Sequence, residues 1–337
     1  MRRRAIQFKS PETIELIEQE IDLEELQPKQ IAVESVTSVL SAGTELAVLG
    51  GNESWAPHPA IPGYGNVGRV IARGSEVTQC EEGDLVFSYA SHASHALASG
   101  SQLIVKLPED IDPVKLAMAR IAQVAFTAPR VSSIELGDTV VVQGLGLVGN
   151  LAAQFCALSG ARVIGVDVSE ARLEMAAECG IEHRVNPLKE DLFQKVEEIT
   201  EGRMCETAIE ATGNPSLIAP LNKLLGKNGE TILLGTPRGD LKEGGADILR
   251  QIHLWGSGCV TMKGAHEWRY PIYDSDAGKH SLERNIRIFL DLLRNGKLKV
   301  DALISHVESP ENCSQVYEAL RNRDESYGGV VWDWRKL

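Results

Sequence analysis

The sequence lacks several features that would each place it in another class of protein. Its cysteines form no C-x-x-C pair, which argues against a disulfide framework and a zinc knuckle. No apolar run approaches the roughly eighteen residues of a membrane span. The start, MRRRAIQF, is not followed by an apolar segment with a cleavage site, so the cytoplasm is the expected location and no membrane partner is expected.

Acidic residues outnumber basic residues in this chain. The chain has 34 Lys and Arg against 47 Asp and Glu, which gives a formal net charge of −13. Such a charge repels a phosphate backbone, and no dense basic stripe offsets it. Nucleic acid is therefore not an expected partner, and a small-molecule substrate is favoured.

A change in pattern along the chain indicates two domains, as does the length of 337 residues. Residues 5 to about 118 show short apolar alternations broken by Gly and Pro, which is typical of β-rich structure. From about residue 119, compact β-branched strands alternate with helices that end at Gly. This alternation predicts an α/β fold with a doubly wound parallel sheet.

The strongest local signal is VVVQGLGLVGNLAAQFCALSG, a G-x-G-x-x-G motif that follows a strand and opens a helix. In that context Gly144 allows a tight turn, Gly146 allows the backbone to approach a pyrophosphate, and Gly149 allows helix and strand to pack closely. Leu147 and Val148 complete the helix start, where backbone amides attract anions. The alternative is a purely structural glycine turn.

Asp167 closes the second strand of this unit, eighteen residues after Gly149. A carboxylate there accepts hydrogen bonds from the adenosine ribose and repels a 2′-phosphate, so NAD is favoured over NADP. Val168 follows it, and Arg172 could soften the preference. Asp167 could instead serve only the N-terminus of the next helix.

Several motifs beyond the glycines give the chain a resemblance to a known family. They are S-A-G-T-E at 41–45, PGYGNVGRV at 62–70, EEGDLV at 81–86, LIVKLPEDI at 103–111, ELGDTVVVQGLGLVG at 135–149 and EATG at 210–213. With these motifs the chain resembles the medium-chain dehydrogenase/reductase superfamily of alcohol and polyol dehydrogenase-like proteins over nearly its full length.

The resemblance implies a β-rich GroES-like catalytic domain from residues 1–121 and 265–337, a Rossmann NAD-binding domain from 122–264, and an active site in the cleft between them. The segments EATG and LLGTPRG would line the nicotinamide side, through Thr212, Gly213, Gly235 and Thr236. Segment 258–266 would carry a subunit contact, so the resemblance also implies a homodimer or homotetramer.

Three departures from the family pattern concern its catalytic zinc. Ala42 stands in place of the first ligand, a Cys; Tyr64 replaces the ligand His; and Arg120 falls near the third ligand position. The segment after GDLVF also has none of the cysteines of a structural zinc lobe. We therefore expect neither zinc, and the chain resembles the zinc-independent branch with the S-A-G-T-E motif that includes the bacteriochlorophyllide dehydrogenase-like proteins.

Other side chains must then assist proton transfer. Thr44 matches the family's proton-relay hydroxyl, Tyr64 could exchange a proton with the substrate oxygen, and Arg120 could stabilise a developing alkoxide. Glu45 matches a family acid next to the ligands and could pair with Arg120. All four residues are therefore candidates for a site that works without a metal.

A histidine pair in SHASHALAS adds two further candidates. His92 and His95 suit general acid–base work, because histidine titrates near neutrality. An H-x-x-H pair can also bind a metal, and one of the two could equally be a surface residue.

Aromatic residues suggest where a ring-shaped polar substrate would stack. Trp55, His266 and Trp268 are the candidates, although an interface loop that buries its aromatic residues is an equal alternative. The leading hypothesis is an NAD-dependent, zinc-independent dehydrogenase that acts on a secondary alcohol or ketone of a sugar, cyclitol or polyol-like substrate. The alternatives are a quinone or enoyl reductase, a dehydrogenase of a larger tetrapyrrole-like or antibiotic-precursor substrate, and a catalytically silent NAD-binding protein.

Overall fold

The chain forms two compact units. The computed structural model describes residues 1–241, 244–274 and 278–337. One unit combines Met1–Ile121 with Pro271–Leu337, and the other is Ala122–Tyr270. The sequence placed the second boundary at residue 265, but the segment up to Tyr270 stays with the second unit because buried Glu267 accepts a 2.7 Å hydrogen bond from Gln123.

The N-terminal part of the first unit is mostly strands, as its apolar alternation predicts. Its first two strands form an antiparallel ribbon. Helix α2 is short and begins with Pro113, and the Asp112 side chain caps it by accepting from the Val114 amide. The elements are β1 (Arg2–Ser10), β2 (Thr13–Glu20), β3 (Gln30–Val39), α1 (Ala42–Leu49), β4 (Asn66–Arg73), β5 (Leu85–Ser88), β6 (His95–Ser99), β7 (Ile104–Lys106) and α2 (Pro113–Ala117).

The middle of the chain alternates strands with helices, as predicted. Aspartate and serine cap several of the helices: Ser169 and Asp191 accept from amides of the first turn of α6 and α7. The elements are α3 (Ala119–Ala125), α4 (Thr127–Val131), β8 (Thr139–Gln143), α5 (Leu147–Leu158), β9 (Arg162–Val166), α6 (Glu170–Glu178), β10 (His183–Val185), α7 (Leu192–Ile199), β11 (Cys205–Glu210), α8 (Ile218–Asn222), β12 (Leu225–Leu233), α9 (Gly245–His253) and β13 (Thr261–Gly264).

The last part of the chain returns to the first unit. The amphipathic segment LERNIRIFLDLLR forms a helix, and the tail forms strand, helix and strand, both as the sequence predicts. The elements are α10 (Leu282–Arg294), β14 (His306–Glu308), α11 (Cys313–Arg321) and β15 (Val330–Asp333).

The sheet of the second unit is parallel, in the order β10-β9-β8-β11-β12-β13. Numbered within the unit, this is the 3-2-1-4-5-6 order of a Rossmann fold. The strand order reverses between β8 and β11, and ligands of such sheets bind at the carboxyl ends of the strands at that point. The expected doubly wound sheet is therefore confirmed.

The sheet of the first unit joins both ends of the chain. Its order is β14-β15-β3-β4-β5-β7, and β6 also pairs with β3. Strand β15 runs antiparallel to β3, with Val331 opposite Val39. Beside this junction Phe8, Tyr317 and Trp332 are fully buried in one apolar cluster. In the described part of the chain, no helix is long and apolar enough to cross a membrane.

The tight turn after β8 gives a prediction about stability. A Cβ at Gly149 would lie 1.8 Å from the Gly144 carbonyl oxygen. Gly149→Ala should therefore lower the free energy of unfolding by roughly 1–3 kcal/mol, as overpacking does, when urea unfolding of the cofactor-free protein is measured. The matched control is Gly146→Ala, where nothing lies within 4 Å of the new atom. Equal stability of the two variants would contradict the close packing described above.

Candidate functional site

The turn after β8 is tight on one side and open on the other. Gly144 has φ +93°, and a Cβ there would meet the Thr212 side chain at 2.7 Å. Gly149 lies against Gly144, so neither position has room for a side chain. A Cβ on Gly146 would have nothing within 4 Å. The backbone at Gly146 is thus the part of the turn that a ligand can approach.

Helix α5 starts directly at this open side. Gly146 is its N-cap, and Leu147 and Val148 form the start of the first turn. Both side chains are half-buried, which leaves the backbone amides of the helix end as the polar groups of the turn. The helix is 12 residues long, and a helix N-terminus attracts a phosphate through its amides and its dipole.

Asp167 lies just beyond β9 and is buried. Its Oδ2 accepts from the Leu145 amide at 2.7 Å, and its Oδ1 accepts from the Ser169 amide at 2.9 Å. The carboxylate therefore ties the glycine turn to the start of α6. The Arg172 guanidinium lies 3.6 Å from Oδ2, and Val168 is exposed beside it.

A second buried carboxylate, Glu210, shapes the turn after β11. It accepts hydrogen bonds from the Thr212 amide at 2.7 Å, from the Gly213 amide at 3.0 Å and from the Thr212 hydroxyl. Glu210, the first residue of the EATG motif, was not predicted as a site residue. The signal was available, because an acidic residue that ends a buried strand before a T-G turn needs several donors.

The turns after β11 and β12 touch each other. A Cβ at Gly213 would lie 2.5 Å from the Thr236 carbonyl oxygen, and one at Gly235 would lie 2.3 Å from the Gly213 nitrogen. The four residues predicted for the nicotinamide side are thus brought together by the structure. With the open turn at Gly146 and the carboxylate of Asp167, the second unit fits a bound dinucleotide.

In the first unit, Tyr64 is held on two sides. Its hydroxyl donates to Ser41 Oγ at 2.6 Å, and the Arg120 guanidinium carbon lies 4.4 Å from its ring centroid. Arg120 is buried, and it also lies 5.1 Å from the ring centroid of Tyr89. These contacts are cation–π interactions, which gain strength where water is excluded.

The glycines on either side of Tyr64 make room for two other candidates. A Cβ at Gly63 would lie 2.6 Å from the His92 ring, and one at Gly65 would lie 2.6 Å from Arg120 Cβ. Gly63 also has φ +95°. The stretch PGYGNVG therefore allows Tyr64, His92 and Arg120 to pack together. Side chains at positions 63 and 65 would prevent this packing.

Glu45 is the centre of a buried hydrogen-bond network, which comprises Ser41, Glu45, His92 and Tyr317. Its Oε1 accepts from the Ser41 amide at 2.7 Å, its Oε2 accepts from the Tyr317 hydroxyl, and His92 Nε2 lies 3.3 Å from both oxygens. The expected pairing of Glu45 with Arg120 is wrong. Arg120 lies over two aromatic rings instead, while amide, phenol and imidazole donors surround the carboxylate.

The other ring nitrogen of His92 extends the network. Nδ1 lies 2.8 Å from Ser38 Oγ, which accepts from the Trp334 indole nitrogen at 2.9 Å. An indole N–H can only donate, so Ser38 accepts from Trp334 and keeps its own proton, which it can give to His92 Nδ1. In that arrangement His92 Nε2 donates to Glu45.

Thr44 and His95 lie outside this network. His95 begins β6, opposite Glu34 on β3, and its Nδ1 lies 3.3 Å from Ser94 Oγ. The two predicted histidines therefore have different surroundings and do not form a pair. Thr44 is half-buried in the first turn of α1.

Tyr317 on α11 was not predicted as a site residue. It is fully buried, and burial and the neighbouring Glu45 raise its pKa well above the ordinary value. It therefore stays a hydroxyl donor at neutral pH. Its place in an amphipathic helix gives only a core signal, so the sequence does not distinguish it from an apolar core residue.

The three positions that correspond to zinc ligands do not fit that metal. Ala42 has only a methyl group, Arg120 has no lone pair to give, and the Tyr64 hydroxyl is bonded to Ser41. Across residues 1–241, 244–274 and 278–337, no group of three or more His, Cys, Asp or Glu side chains could hold a metal ion.

The three predicted substrate residues are exposed. In the first unit, Trp55 is 64% exposed and its indole nitrogen donates to Glu53 at 2.8 Å. In the second unit, a short 3-10 turn follows β13. His266 lies directly before this turn, and Trp268 lies in it. Their exposure leaves their rings accessible to a ligand.

Comparisons with known proteins give sequence matches along this chain. The profile described as zinc-binding dehydrogenase matches residues 148–273. A zinc-type alcohol dehydrogenase-like protein of Haemophilus influenzae is 29% identical over 67% of this chain and 60% of its own length. The aligned part thus spans less than two thirds of that relative. The D-guloside 3-dehydrogenase of Escherichia coli is 26% identical over 74% of this chain and 71% of its own length.

Solved structures share the whole fold. Benzyl alcohol dehydrogenase from Acinetobacter calcoaceticus superposes with a TM-score of 0.83 over 99% of both chains, at 22% identity. At that identity the likeness establishes the fold, and the sequence matches supply the relationship. With its Rossmann sheet, its glycine turn and these matches, the chain is similar to the zinc-binding dehydrogenases over residues 148–273 and to zinc-type alcohol dehydrogenase-like proteins.

Proposed function

We propose that the chain is an NAD-dependent, zinc-independent dehydrogenase that acts on a secondary alcohol or ketone of a polar, sugar-like substrate. The observation that carries the proposal is the setting of Tyr64. Its phenol occupies the place of a zinc ligand, bonded to Ser41 and covered by the buried Arg120 guanidinium. A proton donor and a cation are thus present where zinc-dependent members of the superfamily place their metal.

Tyr64 exchanges a proton with the substrate oxygen. When the cofactor is bound, its nicotinamide supplies or accepts the hydride. In ketone reduction the Tyr64 O–H bond breaks as the substrate O–H bond forms, and a phenolate remains. In alcohol oxidation the phenolate takes the proton from the substrate hydroxyl.

Arg120 places a buried cation beside the Tyr64 ring. The guanidinium lies 4.4 Å from the ring centroid and is almost fully buried. The same guanidinium can stabilise negative charge on the substrate oxygen.

Asp167 supports NAD as the cofactor. Its buried carboxylate follows the second strand of the Rossmann unit, where a 2′-phosphate would add charge of the same sign. Arg172 lies 3.6 Å from that carboxylate, so its positive charge is partly offset. The sugar-like substrate class is supported by the relative named for D-guloside oxidation.

The first test is an activity panel. The purified protein is expected to form NADH from NAD with members of a panel of sugars, cyclitols and polyols, more efficiently than it forms NADPH from NADP. Preincubation with a chelator should leave the rate unchanged, because the residues at 42, 64 and 120 do not fit zinc. Stoichiometric zinc, with loss of the rate on its removal, would contradict the metal-free proposal. Binding of NAD with no turnover on the panel would contradict the substrate class.

Tyr64→Phe tests the proton donor. Removing the hydroxyl should lower kcat by roughly 10²- to 10⁴-fold, the usual contribution of general acid–base catalysis. NAD affinity, measured by fluorescence titration, should not change. The control is Tyr327→Phe, which removes a hydroxyl from a ring stacked on His306 at 4.1 Å. An unchanged kcat in Tyr64→Phe would remove the phenol from the mechanism.

We also propose that the second unit carries a homodimer contact. Strand β13 is at the edge of its sheet, and a bare edge favours pairing with another chain. The helix before it, α9, and the turn that follows the helix carry several exposed apolar side chains: Leu249, Ile252, Leu254 and Trp255. Exposed apolar side chains near an edge strand are typical of a surface that another chain covers.

The dimer is tested by mass in solution. Sedimentation should give about twice the 36.7 kDa of one chain, or a larger multiple of that dimer. Leu249→Lys combined with Trp255→Lys should lower the mass to that of one chain, because two charges would be buried without partners. Leu188→Lys, at a residue 77% exposed elsewhere in the unit, is the control. A single-chain mass for the unaltered protein would overturn the proposal.

A further inference from the structure

We propose that Ser41 is the hydroxyl through which Tyr64 exchanges its proton with water, and that Glu45 positions Ser41 for this role. The inference rests on the proposed function of Tyr64 and goes beyond it by naming the next step of the proton path. The resemblance points to Thr44 as the relay, but the hydrogen bonds point to Ser41.

The contact between the two hydroxyls is short. Tyr64 donates to Ser41 Oγ at 2.6 Å, near the short end of the range for O–H···O bonds. The bond lies between half-buried groups rather than in open solvent. Ser41 is therefore placed to accept a proton from Tyr64 and, when both hydroxyls rotate, to give one back.

The Ser41 hydroxyl is not used to cap its own helix. Ser41 precedes α1 as its N-cap, where a serine side chain usually accepts from an amide of the first turn, yet its side chain makes no such bond. The usual capping bond contributes about 1 kcal/mol. The oxygen that would make it is instead directed to Tyr64.

Glu45 fixes the Ser41 backbone from both sides. The Ser41 amide donates to Glu45 Oε1 at 2.7 Å, and the Glu45 amide donates to the Ser41 carbonyl at 2.9 Å. The carboxylate is itself held by Tyr317 and His92, both fully buried. Because these donors fix the carboxylate, Ser41 can stay aligned while its hydroxyl changes protonation state.

The two tyrosines beside this network have different roles. Tyr317 is fully buried and bonded to a carboxylate, so it keeps its proton, and its contribution is to hold Glu45. Tyr64 is only half-buried and bonded to a neutral hydroxyl. Tyr64 therefore has as its partner a hydroxyl, which can both accept and donate a proton.

The step balances with water as the co-reactant. After Tyr64 has protonated the substrate oxygen, its phenolate takes the Ser41 hydroxyl proton, so that one O–H bond breaks and another forms. Ser41 Oγ takes a proton from a water molecule in the same event, which leaves hydroxide in solvent. Alcohol oxidation runs the same transfers in reverse and releases a proton to water.

The experiment combines single and double variants. Ser41→Ala should lower kcat by roughly 10- to 100-fold, at or below the usual range for a full acid–base group, with KM and NAD affinity unchanged. Ser41→Thr, which keeps a hydroxyl, should restore most of the rate. In Tyr64→Phe, adding Ser41→Ala should cause no further loss, because Ser41 acts through the Tyr64 hydroxyl.

A second readout separates a relay from a structural role. In mixtures of light and heavy water, kcat of the unaltered enzyme should depend on deuterium content along a curve, as expected when two protons move, and Ser41→Ala should make the dependence linear. Ser326→Ala, at an exposed serine, is the control for stability and rate.

The outcomes separate the two proposals. If Tyr64→Phe is slow but Ser41→Ala matches the unaltered enzyme, the relay is wrong and the function of Tyr64 stands. If Tyr64→Phe retains full activity, the proposed function fails first. A further loss in the double variant equal to that of Ser41→Ala alone would also overturn the relay, because the two residues would then act independently.

Discussion

The buried carboxylate of Glu45 is the constraint on which the part of the first unit around Tyr64 depends. An ionised carboxylate without partners in a protein interior costs several kcal/mol, and here a backbone amide, a phenol and an imidazole offset that cost. Each of these donors fixes another element: the start of α1, helix α11, and the segment before β6. Because loss of one of these donors would destabilise the folded unit, the parts of the first unit around Tyr64 are held at fixed distances from one another.

Glycine residues provide the space in which side chains and backbone approach each other closely. In the first unit, Gly63 and Gly65 let His92 and Arg120 approach the backbone on either side of Tyr64. In the second, the turns after β8, β11 and β12 close on each other at separations that no Cβ allows, while Gly146 stays open. Both sites thus combine close backbone packing with one accessible group, a phenol in the first case and a helix N-terminus in the second.

The sequence predicts what depends on local pattern. The glycine turn, Asp167 at the end of its strand, the doubly wound sheet and helix α10 all follow from spacing within a few tens of residues, and the structure has them. The Glu45 network could not be predicted in this way. Tyr317 bonds to Glu45 across 272 positions of sequence, and Trp334 bonds to Ser38 across 296. Nothing local to any of these residues encodes the contact. The sequence therefore suggested Arg120 as the partner of Glu45, and that expectation was wrong.

The exchange of a metal for a phenol becomes reasonable when the acidities are compared. Zinc lowers the pKa of bound water to about 7, far below that of free water. A phenol has an ordinary pKa of about 10, so most of that difference is already present in the chemistry of the side chain. The guanidinium over the ring places a positive charge at this point without a coordination shell. A metal also provides a fixed position, and in the proposed mechanism that part is taken by Ser41 and the carboxylate that holds it.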